Sequence, residues 1–247
     1  MGGLVVLVLA VWSAVIGPVA AWRVLTHGTT TVWDHLSYPG REIVASPAAQ
    51  PWPADLEPVD AMTVRVGGET VPLNDLLAGS ETLALLVVRD GVVVHEWYGD
   101  GHDPSTPSML FSVTKSILSV LVGAAIDDGL IASVHDPVSA YIPELAAAGF
   151  DEVSVRDLLT MDTASTYVEN DNPFGVHVRF NDTADLEDAI LGLTRRDRPN
   201  EQFTYRSGDS AMLGLVLART LGDRPVSSYL QERLVDPLGM EHGGMGG

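Results

Sequence analysis

The sequence predicts an α+β protein carrying an N-terminal transmembrane helix, and three observations support that fold class. A charge-free apolar run opens the chain, two β-branched runs flank a tight-turn dipeptide before its middle, and helical stretches then follow the strands instead of alternating with them. At 247 residues, 46% apolar and 19% charged, the chain can bury a substantial core.

Met1 to Trp22 contains no charged side chain. About 20 residues at ~1.5 Å rise span roughly 30 Å, the hydrocarbon thickness of a bilayer. Residues 1–24 are therefore read as a transmembrane anchor, with Trp22 and Arg23 at the interface. The competing reading is a signal peptide cut after Val19-Ala20-Ala21, but no Lys or Arg precedes the apolar run as such peptides require. Either way the remainder is expected to be extracytoplasmic, membrane-anchored or, if cleaved, secreted. Residues 25–79 are rich in Pro, Thr and Asp, with Ser46-Pro47-Ala48-Ala49-Gln50-Pro51-Trp52-Pro53 at their centre, and read as a linker or irregular extension. The domain proper is assigned to residues 80–247.

Leu83–Val88 and Val92–Trp97 flank Arg89-Asp90-Gly91, and Asp-Gly is a strong hairpin signal. The first of these strands is apolar on both faces, which predicts a layer on each side. From Ser112 to Asp128 the only breaker is Gly123, and apolar residues occur nearly all round, so a buried helix closed by Gly129 is expected. Shorter helices are predicted over Val155–Met161, Leu186–Leu193, Ala211–Leu221 and Ser227–Leu234.

Composition removes several function classes. A formal charge of −19 repels phosphate backbones and argues against nucleic acid as a partner. The absence of cysteine excludes thiol catalysis, Cys-ligated zinc and disulfides. His95-Glu96 lacks a second His at helical spacing, Asp100, His102 and Asp103 read as a solvated turn, and no Gly-x-Ser-x-Gly elbow occurs. No metal, cofactor or protein partner is implied.

One residue stands out. Of the 14 basic residues only Lys115 is a lysine. Guanidinium stays charged, whereas an amine can be tuned to act as a base, so this position suits a task arginine cannot perform. Lys115 follows Ser112 by three residues in the first turn of the predicted helix, which places both on one face. A first-turn cation opposes the helix dipole, at a cost of about 0.3–1 kcal/mol, and burial opposes its charge as well. A neutral amine is what a serine nucleophile needs, and the helix start offers N–H groups to a developing oxyanion. Ser112 as nucleophile and Lys115 as its base are the catalytic candidates.

Phe111-Ser112-Val113-Thr114-Lys115-Ser116 resembles the nucleophile motif of the class C β-lactamase-related serine hydrolases, which include carboxypeptidases, esterases and 6-aminohexanoate-oligomer hydrolases. Val155-Arg156-Asp157-Leu158-Leu159-Thr160-Met161 resembles the segment after that helix, Phe203-Thr204-Tyr205-Arg206-Ser207-Gly208-Asp209 the tyrosine motif, and Asp236-Pro237-Leu238-Gly239-Met240 a phrase shortly beyond it. The resemblance spans residues 83–240, and Tyr-x-Ser in place of Tyr-x-Asn sits nearest the aminohexanoate branch. It implies a β-lactamase/transpeptidase-like fold, an antiparallel sheet plus a helical region, cleaving a small-molecule ester or amide. Tyr205 would relay the proton to the leaving group, Ser207 would stand where β-lactamases carry Asn, and Tyr167 would line the substrate cleft.

The resemblance also implies a third motif, Lys-Thr-Gly or His-x-Gly, on a strand about a hundred residues past the tyrosine. The only lysine is already used, and His242-Gly243-Gly244 follows Met240 too closely, so the domain is expected to be incomplete at its C-terminal end. The missing strand would supply the second oxyanion donor, whose loss costs about 2.7–4 kcal/mol. A feebly active acyl-serine hydrolase is the first expectation. An inactive, membrane-anchored binding module that keeps the cleft is the alternative.

Overall fold

The fold is that of a computed structural model, which describes residues 10–14, 17–27, 31, 40–57, 62–170, 175–183, 185–196 and 202–246. The chain divides into two units, one comprising Met1–Asp34 and Met109–Arg233, the other His35–Ser108 and Leu234–Gly247.

The first unit is helical. Its helices are α1 (Pro18–His27), α3 (Val113–Asp127), α4 (Val155–Leu159), α5 (Val176–Asp182), α6 (Leu186–Leu191), α7 (Ser207–Leu221) and α8 (Val226–Leu230), with three short 3-10 turns between Val138 and Glu152. The second unit holds α2 (Leu73–Ala78) and all the named strands.

In the first unit α7 is the hub, packing against α3, α4, α5, α6 and α8. Its inward face follows from spacing: Met212, Leu213, Val216 and Leu217 recur at helical intervals and are buried. α3 offers Leu121, Val122 and Ala125 from its own buried side. Ile142, Leu145, Phe150, Val153 and Leu158 are also buried in this unit, and Tyr229 is buried with its hydroxyl on Asp128 at 2.7 Å. α4 begins with a full capping box, in which Asp157 N–H donates to Ser154 Oγ at 3.2 Å and Ser154 N–H to Asp157 Oδ2 at 2.8 Å.

α3 occupies the predicted residues, but burial differs from expectation. Val113 is 59% and Val120 52% exposed, so the helix is buried along one side only.

The apolar run expected to cross a membrane is interrupted. Residues 10–14 and α1 are both helical, but Gly17 between them sits at φ +92°, outside helical geometry. In α1, Ala20 and Ala21 are buried with Trp12 and Val178 packed against them, and Arg23 donates to the Thr183 carbonyl at 3.3 Å. Small side chains and a guanidinium are thus used for contacts within the protein. Among the described residues no helix is long and apolar enough to cross a membrane. Residues 1–9 and 15–16 of the expected anchor lie outside the described residues.

The second unit contains three two-stranded antiparallel sheets, with β1 (Arg41–Ile43) on β6 (Gly244–Gly246), β2 (Thr63–Val66) on β3 (Glu69–Pro72), and β4 (Ala84–Arg89) on β5 (Val92–Tyr98). The β4–β5 turn is the predicted one, with Asp90 at φ +51° and Gly91 at φ +80°, as a two-residue hairpin of this hand requires. Among the described residues β4 pairs with β5 alone, and Leu86 and Val88, expected under a covering layer, are exposed. Asp103 makes the expected polar turn, accepting from Ser105 N–H at 2.8 Å and Thr106 Oγ1 at 3.1 Å.

The stretch read as a linker is more ordered than its composition implied. It holds β1, the β2–β3 hairpin and α2. Its Pro-rich centre is tied down by backbone bonds: Ser46 N–H to Met240 O at 2.8 Å, Gln50 N–H to Gly239 O at 2.9 Å, and Val93 N–H to Pro53 O at 2.8 Å. Proline removes donors, yet the N–H groups of Ser46, Ala48, Gln50, Asp55 and Glu57 and the Pro53 carbonyl find partners. His242-Gly243-Gly244 runs into β6, where Gly243 lies so close to β1 that a Cβ would sit 2.2 Å from the Ile43 carbonyl oxygen.

Two glycines should respond in opposite directions. Gly239 has φ +59°, and a Cβ there would meet Gln50 N and Cβ at 2.9 Å, so Gly239→Ala is expected to destabilise by about 2 kcal/mol or more. Gly123, helical with open space around it, should gain about 0.5–1 kcal/mol on change to Ala. Urea unfolding of the two variants checks the pair.

Candidate active site

Ser112 precedes α3 in a tight turn. The N–H groups of Val113, Thr114 and Lys115 donate to the carbonyls of Leu110, Phe111 and Ser112 at 3.0, 3.1 and 3.1 Å. This winding holds Phe111 at φ +44°, a conformation an aromatic residue rarely adopts. It also modifies the expected oxyanion site. Those three first-turn donors are engaged, and among the described residues the Ser112 N–H carries no backbone bond and is the donor left.

The i to i+3 spacing does what the sequence predicts. Lys115 Nζ donates to Ser112 Oγ at 3.0 Å, and Lys115 is half-buried while Ser112 is exposed. Tyr205, brought from 93 residues away, donates its hydroxyl to the same Oγ at 2.7 Å. The Lys115 ammonium position lies 5.2 Å from the Tyr205 ring centroid, close enough for a cation–π contact. The three catalytic candidates therefore meet at one oxygen.

Tyr205 is held by its neighbours. Residues 202–206 lie beside 161–162, with Gln202 N–H on Asp162 Oδ1 at 3.2 Å, Thr204 N–H on Met161 O at 3.1 Å and Arg206 N–H on Met161 Sδ at 3.5 Å. α7 then starts at Ser207, fixing the chain immediately after the tyrosine.

The two expected substrate contacts are placed differently. Ser207 N–H and Oγ both donate to the Glu169 carboxylate at 2.8 Å. Tyr167 is turned inward at 2% exposure, with its hydroxyl 2.6 Å from His177 Nδ1 and its ring edge-on to Phe180. A ring of that size gains more from apolar packing than from a place at the surface, which is why a loop tyrosine expected in a cleft is found in the interior. Burial first, and the Glu169 charge second, push the Tyr167 phenol well above the ordinary tyrosine range.

One buried group escaped sequence reasoning. Asp209 is 0% exposed and accepts from Thr163 Oγ1 at 2.8 Å and Ser165 Oγ at 3.0 Å, both on Oδ1. Its Oδ2 has no hydrogen-bond partner among the described residues. Burial pushes its carboxyl up to about 6, against the opposing pull of the two hydroxyls and of Arg206. The signal was present in the spacing: 209, 212, 213, 216 and 217 share one helix face, so an acid stood in the apolar register.

A helical unit that presents Ser112, Lys115 and Tyr205 on a single oxygen fits the nucleophile and tyrosine motifs of the class C β-lactamase-related family. Comparison with known proteins agrees. A family model described as Beta-lactamase matches residues 73–247, and the chain belongs to that family. It is 34% identical to a 6-aminohexanoate-dimer hydrolase of Paenarthrobacter ureafaciens over 196 residues, covering 72% of this chain and 48% of that protein. It is 25% identical to a Beta-lactamase of Pseudomonas fluorescens, covering 65% of this chain and 44% of the relative. The chain thus spans about half the length of these curated relatives. A solved structure from Bacillus anthracis, provisionally designated a 6-aminohexanoate-dimer hydrolase, superposes with a TM-score of 0.69 at 19% identity, covering 85% of this chain and 60% of that one, and shows the shared fold.

The raised Asp209 carboxyl sets a pH dependence of stability. Between about 4 and about 6 the folded protein holds a proton that the unfolded chain has released, so stability falls as pH rises through that window and levels off above it, by on the order of 3 kcal/mol. Asp209→Asn keeps an acceptor for Thr163 and Ser165 but cannot ionise. Its unfolding free energy, followed by urea denaturation from pH 4 to 7, should lack the decline that the unaltered protein shows.

Proposed function

We propose that the chain is an acyl-transferring serine hydrolase of small amides or esters, in which Ser112 is the nucleophile, Lys115 the base and Tyr205 the proton relay. The observation that carries this reading is the convergence of Lys115 Nζ at 3.0 Å and Tyr205 Oη at 2.7 Å on Ser112 Oγ. Lys115 acts as the base through its Nζ lone pair: the Ser112 hydroxyl, turned to donate to Nζ across their 3.0 Å contact, gives up its proton while Oγ bonds to the substrate carbonyl carbon and the carbonyl π pair moves onto oxygen. The oxyanion is met by the Ser112 N–H at the helix start. Collapse restores the carbonyl and breaks the bond to the leaving nitrogen or oxygen, which takes the Tyr205 hydroxyl proton, and Tyr205 is reprotonated from Lys115. Water then adds to the acyl-Ser112 ester by the same route, releasing the acid and restoring the serine.

Substrate class follows from two supports. The relative from Paenarthrobacter ureafaciens is named a 6-aminohexanoate-dimer hydrolase, and Tyr205-Arg206-Ser207 carries Ser where β-lactamases carry Asn. A short linear amide is the proposed substrate in preference to a β-lactam. An extracytoplasmic location belongs to the same proposal, supported by the uncharged first 22 residues, and cell fractionation checks it.

A fluorophosphonate probe should label the protein at Ser112, with labelling abolished in Ser112→Ala. Lys115→Arg, which keeps a cation but offers no lone pair, should lose about 10²–10⁴ in rate, and Tyr205→Phe about 10²-fold. Equal labelling of the unaltered protein and Ser112→Ala would leave only a binding module.

A further inference from the structure

We infer that Glu169 is a positioning residue for Tyr205, its carboxylate clamping the first residue of α7 and so fixing the phenol that reaches Ser112. The inference rests on the roles proposed above for Ser112, Lys115 and Tyr205.

The first N–H groups of a helix have no partner within it, and a side chain at the preceding residue normally satisfies one of them. α7 lacks that arrangement, because Arg206 stands at its N-cap and makes no side-chain cap bond. Glu169, 38 residues upstream, supplies the cap from outside the helix: Oε2 accepts the Ser207 N–H and Oε1 the Ser207 hydroxyl, each at 2.8 Å. Both bonds are charge-assisted, and a negative charge at a helix N-terminus is favoured by the helix dipole.

A second contact joins the same two segments. The Tyr167 ring lies so close to Gly208 that a Cβ there would sit 2.6 Å from ring carbons. Residues 167 and 169 thus engage Gly208 and Ser207, consecutive residues of the helix start. The clamp is itself held from α5, where His177 Nδ1 is 2.6 Å from the Tyr167 hydroxyl and 3.6 Å from Glu169 Oε1, and Asn181 Nδ2 is 3.1 Å from His177 Nε2.

Tyr205 stands two residues before the clamped serine. A displacement of the helix start carries directly into the 2.7 Å contact between the phenol and Ser112 Oγ, while Lys115, on α3, is unaffected. Glu169 makes no hydrogen bond to Ser112, Lys115 or Tyr205 among the described residues, so its effect passes through the backbone.

The test combines Glu169→Ala and Glu169→Gln with Tyr205→Phe, reading kcat and KM on p-nitrophenyl acetate, the rate of Ser112 labelling by a fluorophosphonate, and thermal unfolding. Glu169→Ala should lower kcat and the labelling rate by about 10- to 100-fold with KM within about twofold, and Glu169→Gln, which still accepts the Ser207 N–H, should recover most of the loss. In the Tyr205→Phe background Glu169→Ala should cost nothing further, because the residue acts through the phenol. An equal loss in both backgrounds, or full activity in Glu169→Ala, overturns the inference and leaves the proposed roles standing. An unlabelled parent protein, or a Tyr205→Phe variant as active as the parent, overturns those roles and the inference with them. If Glu169→Ala does not fold, the same non-additivity is read from Glu169→Met, which keeps the side chain's bulk but accepts neither bond from Ser207.

Discussion

A seryl hydroxyl can donate once and accept twice, and at Ser112 both acceptor positions are taken, by Lys115 from its own helix and by Tyr205 from a distant one. The first partner comes with the helix, since i and i+3 share a face. The second has to be delivered by tertiary structure. Hydrogen bonds contribute roughly 0.5–1.5 kcal/mol each, too little to hold a 15-residue helix in register, whereas burying an aliphatic side chain contributes about 1.5–3 kcal/mol. The four large apolar residues on the inner face of α7 therefore decide where Tyr205 lies. The polar contacts then refine its position.

That refinement has a local cause. The segment 161–165 touches α7 and its approach at several points: the Met161 carbonyl and sulfur accept from Thr204 and Arg206 on either side of the tyrosine, while Thr163 and Ser165 donate to Asp209 in the first turn of the helix. A buried carboxyl among apolar neighbours is costly unless satisfied, and here both hydroxyls fall on one oxygen. The result couples a loop to the helix through a group that titrates near neutrality. Stability is given up close to the segment that positions Tyr205, the kind of exchange expected at a functional site.

Features governed by neighbours in sequence were legible, and features governed by distant partners were not. The β4–β5 hairpin follows from Asp90-Gly91, because its turn needs two positive φ angles. α3 follows from an unbroken apolar run, and Ser112 with Lys115 from helical spacing. Tyr205 had no local signature and came only through resemblance to a family. Glu169 caps a helix 38 residues downstream, which leaves no pattern in either segment. Several departures from expectation have visible origins. Thr63-Val64-Arg65-Val66-Gly67-Gly68-Glu69-Thr70-Val71 alternates around a Gly-Gly turn and folds as the β2–β3 hairpin, but its Pro-rich flanks pulled the whole stretch toward a linker. The apolar start looked like one span, although Gly17-Pro18 lies within it and Gly17 takes up a left-handed conformation. Apolarity on every side of α3 likewise overstated its burial, since Val113 and Val120 face outward.

The turn before α3 shows why a strained residue sits next to Ser112. Three successive N–H groups close back on Leu110, Phe111 and Ser112, a tighter winding than the helix that follows. Closing that turn puts Phe111 at φ +44°, a cost on the order of 1–3 kcal/mol, which the buried side of α3, with Leu121, Val122 and Ala125, can offset. A relaxed extended residue at 111 would let the chain enter the helix gradually, with Ser112 facing along it. The sharp entry lifts Ser112 into an exposed position, keeps its own N–H out of the local hydrogen bonding, and leaves Lys115 one turn behind it. The placement of the Ser112 hydroxyl, the Lys115 amine and the Ser112 N–H follows from one backbone conformation, and the helix packing further along the chain is what makes that conformation tolerable.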